Sequence, residues 1–123
     1  MMQAVSLLSR LMSAIDEHRW GDLERYLHSA FSCRYVHTEE TFDRAAWIKL
    51  NADYPGFEGL RVEEVLGDQT RAACRSVVTA RDDSGVMGFA CATFISVRDG
   101  LIETMTEVWT ELSQAPTPGT RPS

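Results

Sequence analysis

Glu107 stands two residues after Met105 and two before Trp109, so on a strand the three side chains share one face. If that face is enclosed, the carboxylate loses hydration and its pKa rises. It then becomes a general base working near neutral pH. Glu103 and Glu111 follow the same alternation, which is also the pattern of a solvated acidic row. His37, near the end of Phe31-Ser-Cys-Arg-Tyr-Val-His37, is a second candidate, because imidazole titrates near neutral pH and shuttles protons. Tyr35 is a third, since a phenol can donate to a developing oxyanion. Carboxylate, imidazole and phenol make a set suited to proton transfer. No Gly-rich phosphate loop and no Ser-His-Asp order is evident. Cys33, Cys74 and Cys91 form no CxxC pair and have no ligand spacing with the three histidines, so no metal and no cofactor is expected. They read as reduced thiols of a cytoplasmic protein.

The elements that must position these groups follow from the apolar periodicity. Ala4, Leu8, Leu11 and Ile15 fall at helical spacing, widened by Val5 and Met12. Gly21 breaks that pattern, and Asp22 can cap a short second helix bearing Leu23, Tyr26 and Leu27. His18 and His28 fall near the ends of these two helices and read as structural. Phe31–His37 suits a strand, and Thr38–Glu40 a polar loop. A third helix, capped by Thr41 or Asp43, carries Ala45 to Leu50 and stops before Tyr54-Pro55-Gly56. Leu60–Leu66, Thr70–Arg81, Val86–Val97 and Leu101–Leu112 read as strands. They are joined by the turn residues Gly67-Asp68, Asp82-Asp83-Ser84-Gly85 and Arg98-Asp99-Gly100. Helices first and an antiparallel meander afterwards mean α+β.

At 123 residues the chain is one domain, residues 1–113, followed by a flexible, proline-rich tail, residues 114–123. Apolar residues at 44% and charged residues at 24% place it among globular proteins. The net charge of -6 argues against nucleic acid and against a polybasic membrane patch. No apolar run is long enough to span a bilayer, and the N-terminus does not read as a signal peptide. Val86–Val97 is apolar on both faces: Met87, Phe89, Cys91 and Ile95 on one, Val86, Ala90, Ala92 and Phe94 on the other. A strand of that kind must be covered twice. The helices supply one cover, and a second copy of the chain is expected to supply the other, giving a homodimer packed sheet to sheet.

In this order and spacing, His18-Arg19-Trp20-Gly21-Asp22-Leu23, Phe42-Asp43-Arg44 with Trp47, and Arg98-Asp99-Gly100-Leu101-Ile102 followed by Met105, Val108 and Trp109 resemble the nuclear-transport-factor-2-like, or SnoaL-like, superfamily. The resemblance spans Met2 to Leu112. It implies a cone-shaped, strongly curved antiparallel sheet closed by the three N-terminal helices, usually dimeric, around a pocket for a hydrophobic small molecule. Ketosteroid isomerases, scytalone dehydratases and polyketide cyclases share that fold, as do members without known activity. It further implies a pocket lined by Met105, Glu107 and Trp109 on the last strand, Phe89, Cys91 and Thr93 on the preceding one, and Cys74, Ser76 and Val78 on the one before. Tyr35 and His37 would stand at the first strand, and Trp47 and Tyr54 on the helix side. The known catalytic sets do not carry over. Tyr35 stands about where a ketosteroid isomerase has its base aspartate, Thr93 where it has its protonated aspartate, and the first helix has no tyrosine. No histidine follows His37, as a scytalone dehydratase would need. Glu107 could supply the carboxylate of a polyketide cyclase pair, with only His37 to partner it.

Overall fold

The apolar stripe of the first segment does form a helix, α1 (Ala4–Asp16), in a computed structural model that describes residues 3–122. Ala4, Leu7, Leu8, Leu11, Met12, Ala14 and Ile15 are all buried. The helix packs on one face of the sheet, against β3 (Phe57–Gly67) and β4 (Arg71–Asp82). Its end is fastened by Asp16, whose Oδ1 accepts the Leu60 N–H at 2.9 Å. Residues 17–19 then turn the chain, with His18 in the left-handed region at φ 59°. His18 Nε2 lies 3.0 Å from the Glu58 carbonyl, and its ring stacks on Trp20 and tilts against Phe57.

The second helix is a 3₁₀ helix, Trp20–Tyr26, and it begins before Asp22. Asp22 therefore does not cap it; its carboxylate pairs instead with Arg19 at 2.7 Å and Arg25 at 2.9 Å. Strand β1 (Leu27–Tyr35) starts at once, so His28 lies on a strand and faces Asp99 across 3.6 Å. The residues next to the polar loop are also ordered differently from expectation: Thr41–Asp43 pairs antiparallel with β1 as a short strand, β2. Asp43 ends that strand and caps α2 (Arg44–Ala52), its Oδ1 accepting the Ala46 N–H at 2.8 Å. Gly56, at φ 73°, turns the chain into β3. A Cβ there would fall 1.9 Å from the Arg81 carbonyl oxygen, so only glycine fits.

Strands β3, β4, β5 (Gly85–Arg98) and β6 (Leu101–Glu111) run as an antiparallel meander. The β5–β6 turn has Asp99 at φ 54° and Gly100 at φ 77°, the left-handed pair that a tight hairpin requires. The six strands lie in the order β2-β1-β6-β5-β4-β3. The sheet is mixed and not purely antiparallel, because β1 runs parallel to β6. Parallel neighbours need a long crossover, and here α2 and four strands lie between them in sequence. The sheet is open, with β2 and β3 at its edges. α1 covers β3 and β4 on one face, and α2 covers β1. On the other face Phe94 (51% exposed) and Val108 (43%) stand in solvent beside Ala90 and Ala92. Among the described residues no helix is long and apolar enough to cross a membrane. After Glu111 no helix or strand follows among the described residues, but Leu112 still bonds back to Gly88.

Candidate active site

Between the sheet and the two α-helices lies a cavity of about 450 Å³. Its floor comes from the inward rows of the sheet. Cross-strand register puts Tyr35 beside Glu107, Glu107 beside Thr93, Trp109 beside Cys91, Cys91 beside Ser76, and Phe89 beside Val78. These pairs share one face because side chains alternate along each strand. Trp47, on α2, and Met12 and Ile15, on α1, form the roof. Trp47 is only 1% exposed and packs on Phe31 with ring centres 5.6 Å apart. Tyr54 and Phe57 flank the Gly56 turn and close one end.

Among the described residues Glu107 is the only acidic side chain in the core, at 4% exposure. Its Oε2 accepts a hydrogen bond from the Thr93 hydroxyl at 2.6 Å and a weaker one from the Cys91 thiol at 3.4 Å. Oε1 has no donor among the described residues within hydrogen-bond distance, and the side chain lines the cavity. Among the described residues no Lys or Arg lines the cavity, so none of them supplies a fixed cation to this carboxylate. Burial pushes its pKa up. Thr93, Cys91 and the nearby indole N–H groups of Trp47 and Trp109 pull it back only in part. The same burial, with the nearby Glu107 charge, raises the Tyr35 phenol and the Cys91 and Cys33 thiols, and pushes Cys74 up to about 11. None of these is poised as an anionic nucleophile.

Tyr35 is buried at the end of β1, and the Val36 N–H donates to the Glu107 carbonyl at 3.0 Å, locking the two residues together. His37 stacks on Tyr35 with ring centres 5.3 Å apart, but it is exposed and stands at the mouth with Tyr54. Ten of the thirteen expected site residues thus border one cavity: Tyr35, His37, Trp47, Tyr54, Ser76, Val78, Phe89, Cys91, Glu107 and Trp109. Cys74, Thr93 and Met105 do not border it. They point to the same side of the sheet, but Thr93 is roofed by its bond to Glu107, and Cys74 and Met105 sit in the hydrophobic core under the helices. Thr93 therefore acts on the carboxylate and not on the cavity. Glu111 lines the rim, joined by Gln114, whose amide bonds Thr110 Oγ1 at 2.9 Å and the Glu111 carbonyl at 3.0 Å. Gln114 thus belongs to the site's edge, although composition assigns it to the tail. Glu103 is drawn away by Arg98 at 2.8 Å. Phe57, Leu50, Asn51 and Leu60 also line the cavity. Their sequence signal was the residues just after Pro55-Gly56 and the polar-apolar edge of the third helix. Among the described residues no cluster of His, Cys, Asp and Glu could hold a metal ion.

No family model matches this sequence, and no curated protein is similar to it in sequence. The structure is similar to that of a proposed ketosteroid isomerase from Kribbella flavida DSM 17836. The TM-score is 0.79 at 24% identity, over 92% of this chain and 82% of that one. An NTF-2-like protein of unknown function from Burkholderia xenovorans LB400 superposes with TM-score 0.75 at 15% identity, over 90% and 85% of the two chains. A proposed SnoaL-like polyketide cyclase from Jannaschia sp. CCS1 gives 0.73 at 19% identity, over 85% and 83%. The chain has the nuclear-transport-factor-2-like, or SnoaL-like, fold, and at these identities the likeness is one of fold.

Proposed function

We propose that this chain binds a hydrophobic carbonyl compound in the cavity, with the sheet curved into a cone around it, and that Glu107 moves a proton at the carbon next to the carbonyl. The reaction class is isomerase, cyclase or dehydratase. The observation that carries the reading is a single buried carboxylate with no cationic partner, one oxygen held by Thr93 and the other left to an aromatic cavity. Burial holds Glu107 nearer the pH at which a general base works best. Tyr35, adjacent in register, or His37 at the mouth stabilises the enolate. A cavity of about 450 Å³ suits a ligand of two or three rings. The fold neighbours named for isomerisation and cyclisation support the same class of chemistry.

The outward strip of Phe94, Val108, Ala90 and Ala92 supports assembly as a homodimer through the sheet. Three free, buried cysteines support a cytoplasmic location. The alternative is a non-catalytic ligand-binding or dimeric assembly module. It predicts the same cavity without proton transfer.

The test is deuterium uptake from D₂O at the α-carbon of 2-tetralone, a two-ring ketone, followed by NMR. Wild-type protein should accelerate exchange, and Glu107→Gln should lose about 10²–10⁴-fold of that acceleration. Equal rates for wild type, variant and buffer overturn the proton-transfer reading and leave the binding module.

A further inference from the structure

Three polar or charged side chains are buried among the described residues: Ser76, Thr93 and Glu107. Two of them satisfy each other, since the Thr93 hydroxyl donates to Glu107 Oε2. The Cys91 thiol beside them is committed to the same carboxylate oxygen at 3.4 Å. Ser76 is left over. It is only 1% exposed, and its short side chain lines the cavity. Its hydroxyl has no hydrogen-bond partner among the described residues. Nor is that hydroxyl sealed in, as the indole nitrogens of Trp47 and Trp109 are; the open space it meets is the cavity. The other inward residues of β4, Ala72, Cys74, Val78 and Ala80, are all buried and apolar. A serine in that row gives up packing for a hydroxyl that the fold does not use. Buried polar groups without partners cost stability and are rare in native structures, so this one points to a partner from outside the chain.

We infer that Ser76 binds a hydroxyl carried on the ring body of the ligand, away from the carbonyl, and so selects an oxygenated ligand over the plain ketone. Register gives the spacing. Glu107 meets Thr93, Thr93 meets Cys74, and Ser76 follows Cys74 by two residues on the same face. At about 4.8 Å per strand and 3.3 Å per residue, the Ser76 and Glu107 backbones stand roughly 12 Å apart across the floor. Both side chains reach into the cavity, which brings their oxygens closer than that. The separation suits two oxygens at opposite ends of a body of two or three rings. Charge fixes the class of the second oxygen. Glu107 and Glu111 line the cavity, and among the described residues no Lys or Arg does, so an anionic group would meet no counter-charge. A neutral hydroxyl is matched, because the serine offers it one proton and two lone pairs. Water can serve Ser76 until the ligand oxygen replaces it. The other hydroxyls of the lining lie elsewhere: Tyr35 beside Glu107 in register, Tyr54 and Thr110 exposed toward the mouth. The inference deepens the proposed function and rests on it in taking this cavity as the ligand site, with the carbonyl at Glu107.

The experiment uses the full chain with 2-tetralone and with its four isomers hydroxylated at ring carbon 5, 6, 7 or 8. Dissociation constants are measured by titration calorimetry at pH 7, where the added phenols are neutral. One isomer should bind wild-type protein about 2- to 10-fold more tightly than 2-tetralone, the gain from one neutral hydrogen bond. The others should gain nothing, because their hydroxyls are buried against apolar walls. In Ser76→Ala the preferred isomer should fall back to the affinity of 2-tetralone. The same substitution should leave the urea midpoint where it is, because the fold loses no bond. The isomer comparison is read on wild-type protein, so it stands even if the variant fails to fold. The inference is overturned if no isomer gains over 2-tetralone, if the gain persists in Ser76→Ala, or if no ketone binds up to its solubility. It is equally overturned if Ser76→Ala lowers the urea midpoint, for then the hydroxyl is already spent within the fold. A hydroxyl preference without deuterium uptake would sink proton transfer and keep the role of Ser76; uptake without the preference would do the reverse.

Discussion

Thr93→Val removes one hydroxyl and keeps the shape, at a side chain that is fully buried and 2.6 Å from Glu107 Oε2. Its effect should depend on the charge of Glu107. When the carboxylate is ionised, the lost bond is one to a charged group, about 1.5–3 kcal/mol. When it is protonated, the loss is that of a neutral bond, about 1 kcal/mol. The variant should therefore be destabilised more above neutral pH than in acid, by about 0.5–2 kcal/mol. The sign follows from linkage. The folded pKa of Glu107 is raised by burial, so between the unfolded and folded values the native state binds more protons than the unfolded one. Stability from this group is complete below the unfolded pKa, near 4.3 for a free glutamate, and is lost as pH rises through the folded value. Removing the Thr93 donor raises the folded value further and carries the loss on to higher pH. Urea unfolding of wild type and variant, at half-unit steps from pH 4 to 8.5, reads this directly. Glu107→Gln provides the reference, because in that background the loss from Thr93→Val should no longer grow with pH. A loss from Thr93→Val that is independent of pH in the wild-type background would refute the argument that this hydroxyl sustains the carboxylate.

Other consequences can be checked separately. Trp47→Ala should destabilise the fold by about 3–5 kcal/mol, because the indole is the only buried side chain of α2, seen as a lower urea midpoint. Asp43→Ala should cost about 1 kcal/mol through loss of the cap on Ala46, measured the same way. Gly56→Ala should be far more damaging than either surface position nearby, because the added carbon would strike the Arg81 carbonyl; poor yield or a collapsed melting transition would report it. The three thiols are buried, and their raised pKa values keep them protonated, so native protein should resist iodoacetamide at pH 8 while urea-unfolded protein takes up three equivalents. Val108→Glu on the outer face should convert a sheet-to-sheet dimer into monomer by sedimentation velocity, and a wild-type protein that already sediments as monomer would remove the dimer.

The inner face was legible because strand alternation is a local property. Once Glu107 is placed between Met105 and Trp109, a period of two fixes the row, and the same holds for Phe89 and Cys91, or Ser76 and Val78. What could not be read locally is which residue of one row meets which of the next. A register shift falls between Ser96 and Val97. Counted outward from the Arg98–Leu101 pair without it, Glu107 falls opposite Ala92, on the outer face; with it, Glu107 meets Thr93. The principal donor to the carboxylate is thus set by an irregularity that composition does not announce. The 3₁₀ helix at Trp20–Tyr26 was missed as such because Asp22 has the chemistry of a cap but finds Arg19 and Arg25 first. β2 was invisible because three residues carry no period, and its pairing with β1 depends on the turn between them. Gln114 was assigned to the tail because its neighbours are proline-rich, while its own amide is held by Thr110 and Glu111.

The parallel seam between the first strand and the last has a consequence for how the chain matures. During synthesis β1 emerges early and can pair with the short β2, but its other edge must wait until β6 has been made. Until then Cys33 and Tyr35 have no partner from β6 to shield them, and the Val36 amide has no Glu107 carbonyl to meet. Completion of the protein is therefore coupled to arrival of the very strand that carries the carboxylate. A ribosome stalled before Met105 should hold an immature, protease-sensitive chain, and one stalled well past Glu111 a finished one.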